Sequence, residues 1–189
     1  MDTIRDGAFG LTNTNRLVRY YRGCTGLKTG STAKAGFCVS VTANRDGMEL
    51  ICVIMGAKTR DERNAFAAKL LDWGYARYGV YSDEGGVTNT VRVRAGVNET
   101  CIGEYKSFSA VLDSKELKNV TKEILLEGEL SAPIKKGDVI GRVTYRCGDK
   151  VIGNTDILCA EGVDRIGFWE IVQRILSIYA IKQPNAKIS

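Results

Sequence analysis

Along the first third of the chain the spacing of apolar positions changes from helical to alternating and back to helical. Residues 16–21, Arg16-Leu17-Val18-Arg19-Tyr20-Tyr21, follow Thr12-Asn13-Thr14-Asn15. Those short polar side chains are N-cap candidates, so the stretch predicts a short helix. A glycine-rich passage, 23–30, leads into two β-branched, apolar runs, 36–43 and 48–56, joined by Asn44-Arg45-Asp46-Gly47. Asp-Gly between such runs predicts a tight hairpin. Thr59-Arg60-Asp61-Glu62 then fits a capping box, a threonine N-cap with a glutamate three residues on. It predicts a helix over about 60–75 with Phe66, Leu70 and Trp73 turned to a core.

The pattern lapses over residues 77–86, which read as a linker. Beyond it, short alternating runs recur at 90–94, 122–126 and 138–146, punctuated by Gly96-Val97-Asn98, Lys136-Gly137-Asp138 and Gly148-Asp149. Short strands at that spacing predict a small antiparallel sandwich or barrel. In residues 163–181, Ile166, Phe168, Trp169, Ile171, Val172, Ile175, Leu176, Ile178 and Tyr179 make a wide apolar face. Gly167, Glu170, Gln173, Arg174 and Ser177 fall on the other side. This predicts an amphipathic helix. Its place after a finished β module and before a polar tail favours a membrane surface or partner over core packing. No apolar run reaches the roughly 20 residues that a spanning helix needs. The expected order is α+β: a partial α/β domain over 1–79, an all-β sandwich-like domain over 80–162, and an amphipathic helix with tail over 163–189.

Composition narrows the chemistry. With 44% hydrophobic and 26% charged residues and two prolines in 189, the chain is of folding composition. Its net charge of +5 is scattered. That suits an anionic membrane surface and gives no ground for a nucleic-acid partner. There is no histidine, which excludes Ser-His-Asp and Cys-His catalysis and the common zinc sites. Any hydrolysis must therefore use lysine, carboxylate or hydroxyl groups. Cys24, Cys38, Cys52, Cys101, Cys147 and Cys159 form no CxxC pair and sit in apolar, strand-like runs. They read as small buried hydrophobes rather than disulfides or metal ligands, and taken alone they hint at a reducing compartment. No metal or cofactor is expected. Residues 1–10 carry no basic-then-apolar signal sequence.

The most informative triplet is Lys28-Thr29-Gly30, which enters a β-run and is followed directly by the hairpin and the capped helix. K-T-G belongs with S-x-x-K and S-D-N among the elements of penicillin-binding proteins and class A β-lactamases. The wider setting is Gly26-Leu27-Lys28-Thr29-Gly30-Ser31-Thr32, Ala35-Gly36, the 48–56 strand, and Leu70-Leu71-Asp72-Trp73-Gly74-Tyr75. Downstream comes Glu129-Leu130-Ser131-Ala132-Pro133-Ile134-Lys135-Lys136-Gly137-Asp138. In these segments the chain resembles the C-terminal portion of the low-molecular-mass penicillin-binding proteins, serine-type D-alanyl-D-alanine carboxypeptidases of peptidase family S11.

The resemblance implies a penicillin-binding, transpeptidase-like catalytic domain followed by the family's β-rich domain and a membrane-anchoring helix. Expected partners are a peptidoglycan stem peptide ending in D-Ala-D-Ala, β-lactams in the intact enzyme, and a membrane surface through residues 163–181. The expected location is the extracytoplasmic face of the bacterial cytoplasmic membrane. Lys28 would supply fixed positive charge in the cleft, Thr29 would bind the terminal carboxylate, and Gly30 would let the substrate backbone approach. The Ser31 N–H would be one of two oxyanion-hole donors, and Arg63 would pair with the carboxylate.

No S-x-N occurs in the chain, and nothing upstream of residue 28 offers S-x-x-K. Ser31-Thr32-Ala33-Lys34 fits the spacing. It abuts the KTG strand, however, and so cannot face that strand from a separate helix. The expectation is a fragment of a longer gene product, without catalytic residues of its own and inactive alone. Removing the rest would leave the hairpin and the Phe66/Leu70/Trp73 face short of cover. The alternative is a non-catalytic membrane-surface spacer or partner-binding module.

Overall fold

The structure is a computed structural model that describes residues 2–4, 9–11 and 13–181. The N-cap candidate Thr12 and the tail beyond Ile181 lie outside the described residues, as do the side chains from Tyr179 on. The architecture is α+β. The chain divides into two compact units, Met1–Tyr81 with Ala110–Lys118, and Ser82–Ser109 with Asn119–Ser189.

In the first unit, β1 (Asp2–Ile4) and β2 (Phe9–Leu11) pair antiparallel. Helix α1 (Leu17–Tyr20) follows, then β3 (Cys24–Thr32), β4 (Gly36–Arg45), β5 (Met48–Ala57) and helix α2 (Arg60–Arg77). The three strands form one antiparallel sheet in the order β3-β4-β5. Between β4 and β5 the backbone takes positive φ at Asp46 (50°) and Gly47 (81°), the paired left-handed turn that an Asp-Gly hairpin requires. One face of the sheet carries Val39, Val41, Ala43 and Cys52, buried with Leu17 of α1 and with Ala67 and Leu71 of α2.

Helix α2 corrects one expectation. Phe66, Leu70 and Trp73 are 50, 47 and 55% exposed, and the sheet is met instead by Arg63, Ala67, Leu71 and Gly74. At 100° per residue the two stripes lie about 90° apart on the helix. Ala67 and Gly74 within the second stripe let the helix lie close: a Cβ on Gly74 would come 2.7 Å from Leu50 Cδ1. The bulky stripe therefore stays outside. The opposite face of β5, with Ile51, Val53 and Met55, is exposed as well.

Residues 77–86 are mostly strand rather than irregular linker, although the division between the two units, Tyr81/Ser82, falls within them. β6 (Tyr78–Asp83) follows α2 without a break and forms a two-stranded ribbon with β9 (Phe108–Asp113). The aromatic and β-branched residues Tyr78, Val80 and Tyr81 give this stretch its strand character. In the first unit Arg77 pairs with Asp113 at 3.4 Å and accepts the Ser114 N–H on its carbonyl.

The second unit is built on a six-stranded sheet. Its strands are β7 (Gly86–Arg94), β8 (Thr100–Tyr105), β10 (Val120–Leu126), β11 (Glu129–Ser131), β12 (Val139–Cys147) and β13 (Lys150–Cys159). Their order is β10-β12-β13-β8-β7-β11, antiparallel except where β11 lies parallel to β7. Val91 and Val93, then Ile157 and Cys159, bury alternate positions, as period-two strands with one covered face do. In β12 the spacing changes from Ile140 to Val143 and Tyr145, because the register shifts between Val139 and Gly141. Phe108 stacks on Tyr145 at 4.2 Å between centroids.

Helix α3 (Phe168–Ile181) starts five residues later than the amphipathic pattern predicts. Val163 is buried and exchanges both backbone hydrogen bonds with Ile134, and Ile166 N–H donates to Ala95 O. Residues 163–166 thus finish the β unit before the helix begins. Arg174 on the polar side pairs with Glu99 at 3.3 Å and donates to the Val97 carbonyl. Phe168 and Trp169 are 71 and 73% exposed, and Ile175, Leu176 and Ile178 are exposed too. Among the described residues no helix is long and apolar enough to cross a membrane.

Candidate functional site: the groove beside strand β3

β3 is an edge strand. β4 occupies one side, and no strand among the described residues occupies the other. In register, Lys28 stands opposite Ser40, Thr29 opposite Val39 and Gly30 opposite Cys38. Thr29 therefore shares the face on which the helices pack, while Lys28 and Gly30 project from the other face. The edge is exposed at Lys28, Gly30 and Ser31, and a Cβ added to Gly30 would meet nothing within 4 Å.

α1 is held beside this strand by Asn15, which is buried. Its Nδ2 donates to Gly26 O at 3.0 Å, and its Oδ1 accepts from Leu17 N–H at 3.2 Å. Asn15 thus ties the start of the helix to β3 and satisfies one of the helix's free N–H groups. Nearby, the Thr14 and Thr29 hydroxyls are hydrogen-bonded at 2.8 Å, and Lys28 Nζ donates to Thr29 O at 2.7 Å.

From the other side α2 presents Arg63. The start of that helix is fixed by Thr59 Oγ1 accepting from Glu62 N–H at 3.1 Å, while Glu62 Oε2 accepts from Lys58 N–H at 2.9 Å. This sets the helical phase that turns Arg63 inward. The side chain is 4% exposed. Its Nε and Nη2 donate to Asn64 Oδ1 at 3.1 and 2.9 Å, and Nη1 donates to Cys38 O at 3.4 Å. Burial, and then the like charge of Arg60, hold its pKa below the ordinary arginine value, yet a guanidinium stays protonated. Among the described residues no carboxylate lies within 4.0 Å of it, so its charge is buried without an anionic partner.

Lys28, Thr29, Gly30, Ser31 and Arg63 line a single groove of about 790 Å³. The structure brings all five sequence-predicted residues together. Sequence reasoning missed Thr14, Arg16 and Arg19, which line the same groove from α1 and its approach. No motif marks them, because that helix is placed beside β3 by tertiary contacts, the Asn15 tether and the burial of Leu17 in the core. Ser31 lies on β3, and Lys34 in the turn after it, so the S-x-x-K spacing at 31–34 is not helical. Among the described residues no group of three or more His, Cys, Asp or Glu could hold a metal.

Residues 2–59 match the family model for D-alanyl-D-alanine carboxypeptidase, and residues 83–165 match the model for the penicillin-binding protein 5 C-terminal domain. The D-alanyl-D-alanine carboxypeptidase DacF of Bacillus subtilis is 30% identical over 175 residues, 90% of this chain and 45% of that protein. The D-alanyl-D-alanine carboxypeptidase DacC of Escherichia coli is 33% identical over 155 residues, 78% of this chain and 39% of that protein. Among solved structures, penicillin-binding protein 5 of Haemophilus influenzae superposes with a TM-score of 0.62 at 26% identity, covering 79% of this chain and 45% of that one. With its KTG edge strand, capped helix and β-rich unit, the chain falls in the class of penicillin-binding proteins that these family models describe. The chain belongs to the D-alanyl-D-alanine carboxypeptidase family of penicillin-binding proteins and spans less than half the length of each of these relatives.

Proposed function

We propose that this chain forms the KTG wall and the β-rich C-terminal part of a serine-type D-alanyl-D-alanine carboxypeptidase that acts on peptidoglycan stem peptides. The observation that carries the reading is the buried, anion-less charge of Arg63 beside the KTG edge. A planar guanidinium suits a carboxylate through paired hydrogen bonds. A peptide ending in D-Ala-D-Ala offers such a carboxylate and an extended backbone that can lie along β3. Thr29 and Arg63 hold the carboxylate, Lys28 adds fixed positive charge, and Gly30 leaves room for the peptide. The Ser31 N–H stabilises the oxyanion. In the intact enzyme a serine from S-x-x-K attacks the scissile carbonyl, D-alanine leaves, and water hydrolyses the acyl-enzyme; a β-lactam acylates the same serine.

This chain holds no such serine and is inactive alone. The exposed apolar side of α3 rests on a membrane surface, on the extracytoplasmic face where the substrate lies. That exposure also supports a second reading, a non-catalytic membrane-surface module. Treatment with a fluorescent penicillin separates the two from an active enzyme. The expected result is no covalent label on the full chain by gel and intact mass, and a penicilloyl adduct on Ser31 would overturn the assignment of Ser31 as a backbone donor only.

A further inference from the structure

The groove beside β3 carries more positive charge than one terminal carboxylate needs. Among the described residues Arg16, Arg19, Lys28, Arg60 and Arg63 all line it, and no aspartate or glutamate does. Among the described residues none of the five is in an ion pair. Arg63 and Lys28 are already engaged near the KTG edge, through Cys38 O, Asn64 and Thr29 O. Arg16, Arg19 and Arg60 are exposed, and among the described residues their side chains make no hydrogen bond. Like charges gathered in one concavity repel one another, and a ligand that brings negative charge relieves that repulsion. Arg60 adds to the same field, since its charge bears on Arg63.

We propose that Arg16 and Arg19, with Arg60, form a second anion subsite that selects acidic peptides. These are chains whose terminal carboxylate is joined by another carboxylate on the residue just before the D-Ala-D-Ala end. This rests on the reading of the groove as a D-Ala-D-Ala site and adds a specificity to it. In an extended peptide that residue stands about 7 Å up the chain from the terminal one, within reach of the other wall of the same groove. The guanidiniums are partly solvated, so the preference is modest and sensitive to salt.

Two peptides that differ by one charge and almost nothing in shape test it: acetyl-Glu-D-Ala-D-Ala and acetyl-Gln-D-Ala-D-Ala. Each is titrated into the full chain at low ionic strength and followed by backbone amide shifts. The glutamate peptide binds about twofold to fivefold tighter. The ratio falls to near one in the Arg16→Gln/Arg19→Gln double variant and shrinks as salt is added. Arg63→Gln weakens both peptides alike. Equal affinities in the wild type, with binding still dependent on Arg63, overturn the second subsite and leave the D-Ala-D-Ala reading intact. A ratio retained in the double variant overturns it too, because the charge is then read elsewhere. Binding that ignores Arg63, or no binding of either peptide, counts against both readings. The amide spectrum of each variant confirms that it is folded.

Discussion

The Arg63 guanidinium donates to the carbonyl oxygen of Cys38 at 3.4 Å, and Cys38 stands opposite Gly30 in the β3–β4 ladder. The buried cation of α2 is thereby anchored to the strand directly behind the KTG edge. A buried charge without a counterion costs stability, and replacing it with an apolar side chain of similar length is often neutral or favourable. Arg63→Met should therefore change unfolding free energy by less than about 1 kcal/mol in the destabilising direction. It should weaken binding of a D-Ala-D-Ala peptide at least about tenfold, a loss on the order of 2 kcal/mol. Thermal unfolding and peptide titration of the same sample separate these effects. A large loss of stability would show that Arg63 serves the fold.

Two glycines on and beside β3 should behave in opposite ways. Gly23 has φ of +80°, and a Cβ there would lie 2.3 Å from Asn44 O. Gly23→Ala should destabilise the first unit by about 2 kcal/mol or more, through strain and backbone clash together. Gly30→Ala meets open space and should change stability by less than about 1 kcal/mol while its methyl obstructs the peptide backbone. Denaturant midpoints and peptide affinity, measured on both variants, check the contrast.

In the second unit Asp83 is the hub of a compact polar network. Lys122 Nζ lies 2.5 Å from its carboxylate and donates to Tyr105 OH at 2.6 Å. Tyr145 OH donates to the same carboxylate at 3.1 Å, and Gly85 N–H at 3.0 Å. Burial works to raise the Asp83 pKa, but the bonds from Lys122, Gly85 and Tyr145 outweigh it and leave the pKa below the ordinary value. The bond to Asp83, and then that to Tyr105, raise the Lys122 pKa. A carboxyl group whose pKa is depressed on folding adds stability above its unfolded pKa, near 4, and loses it as pH falls through the folded value. A lysine raised on folding adds stability below about 10.5 and loses it as pH rises through the folded value. The second unit should therefore weaken below about pH 4 and in strong alkali. Asp83→Asn should flatten the acid limb. Lys122→Met should cost about 2 kcal/mol at neutral pH by stranding a largely buried carboxylate, with partial exposure of the pair moderating the loss. Urea unfolding across pH reads both limbs.

The outward side of α3 should bind anionic bilayers in the plane of the interface, inserting Phe168, Trp169, Ile175 and Leu176. A spanning orientation would bury Glu170 and Arg174 at about 2.5–3.5 kcal/mol each. The chain has two tryptophans, and Trp73 is half exposed on α2, so a Trp73→Phe background isolates Trp169. Its emission should shift to the blue with anionic vesicles and much less with neutral ones. No shift on anionic vesicles would rule out this surface as the anchor.

Much of the β order could be read from the sequence, because alternation and turn residues act locally. The Asp46-Gly47 hairpin and the strands over 86–94, 120–126 and 139–147 follow from period two and from residues suited to positive φ. β8 and β13 carry glycines, cysteines and polar residues that blur the alternation, and only pairing reveals them. The α2 stripe misled for a related reason. Phe66, Leu70 and Trp73 have the bulk of core residues, but the sheet selects the face where Ala67 and Gly74 allow close approach. Hydropathy cannot show that choice. At the site, Lys28-Thr29-Gly30 could be read as a motif, and Arg63 only through the family resemblance that the motif opened. Arg16 and Arg19 could not, because their place depends on tertiary contacts of α1, the buried Asn15 side chain bonded to Gly26 O and Leu17 in the core.

The most direct test compares acetyl-Gln-D-Ala-D-Ala with the same peptide amidated at its C-terminus, each titrated into the full chain and followed by backbone amide shifts and the Arg63 Nε–H signal. With the free carboxylate, the shifts should concentrate on Lys28, Thr29, Gly30, Ser31 and the Arg63 side chain, and the amide should bind at least about tenfold more weakly. Equal binding of the two peptides, or shifts that bypass β3 and Arg63, would contradict the assignment of this groove as the carboxylate-binding wall of a D-alanyl-D-alanine carboxypeptidase.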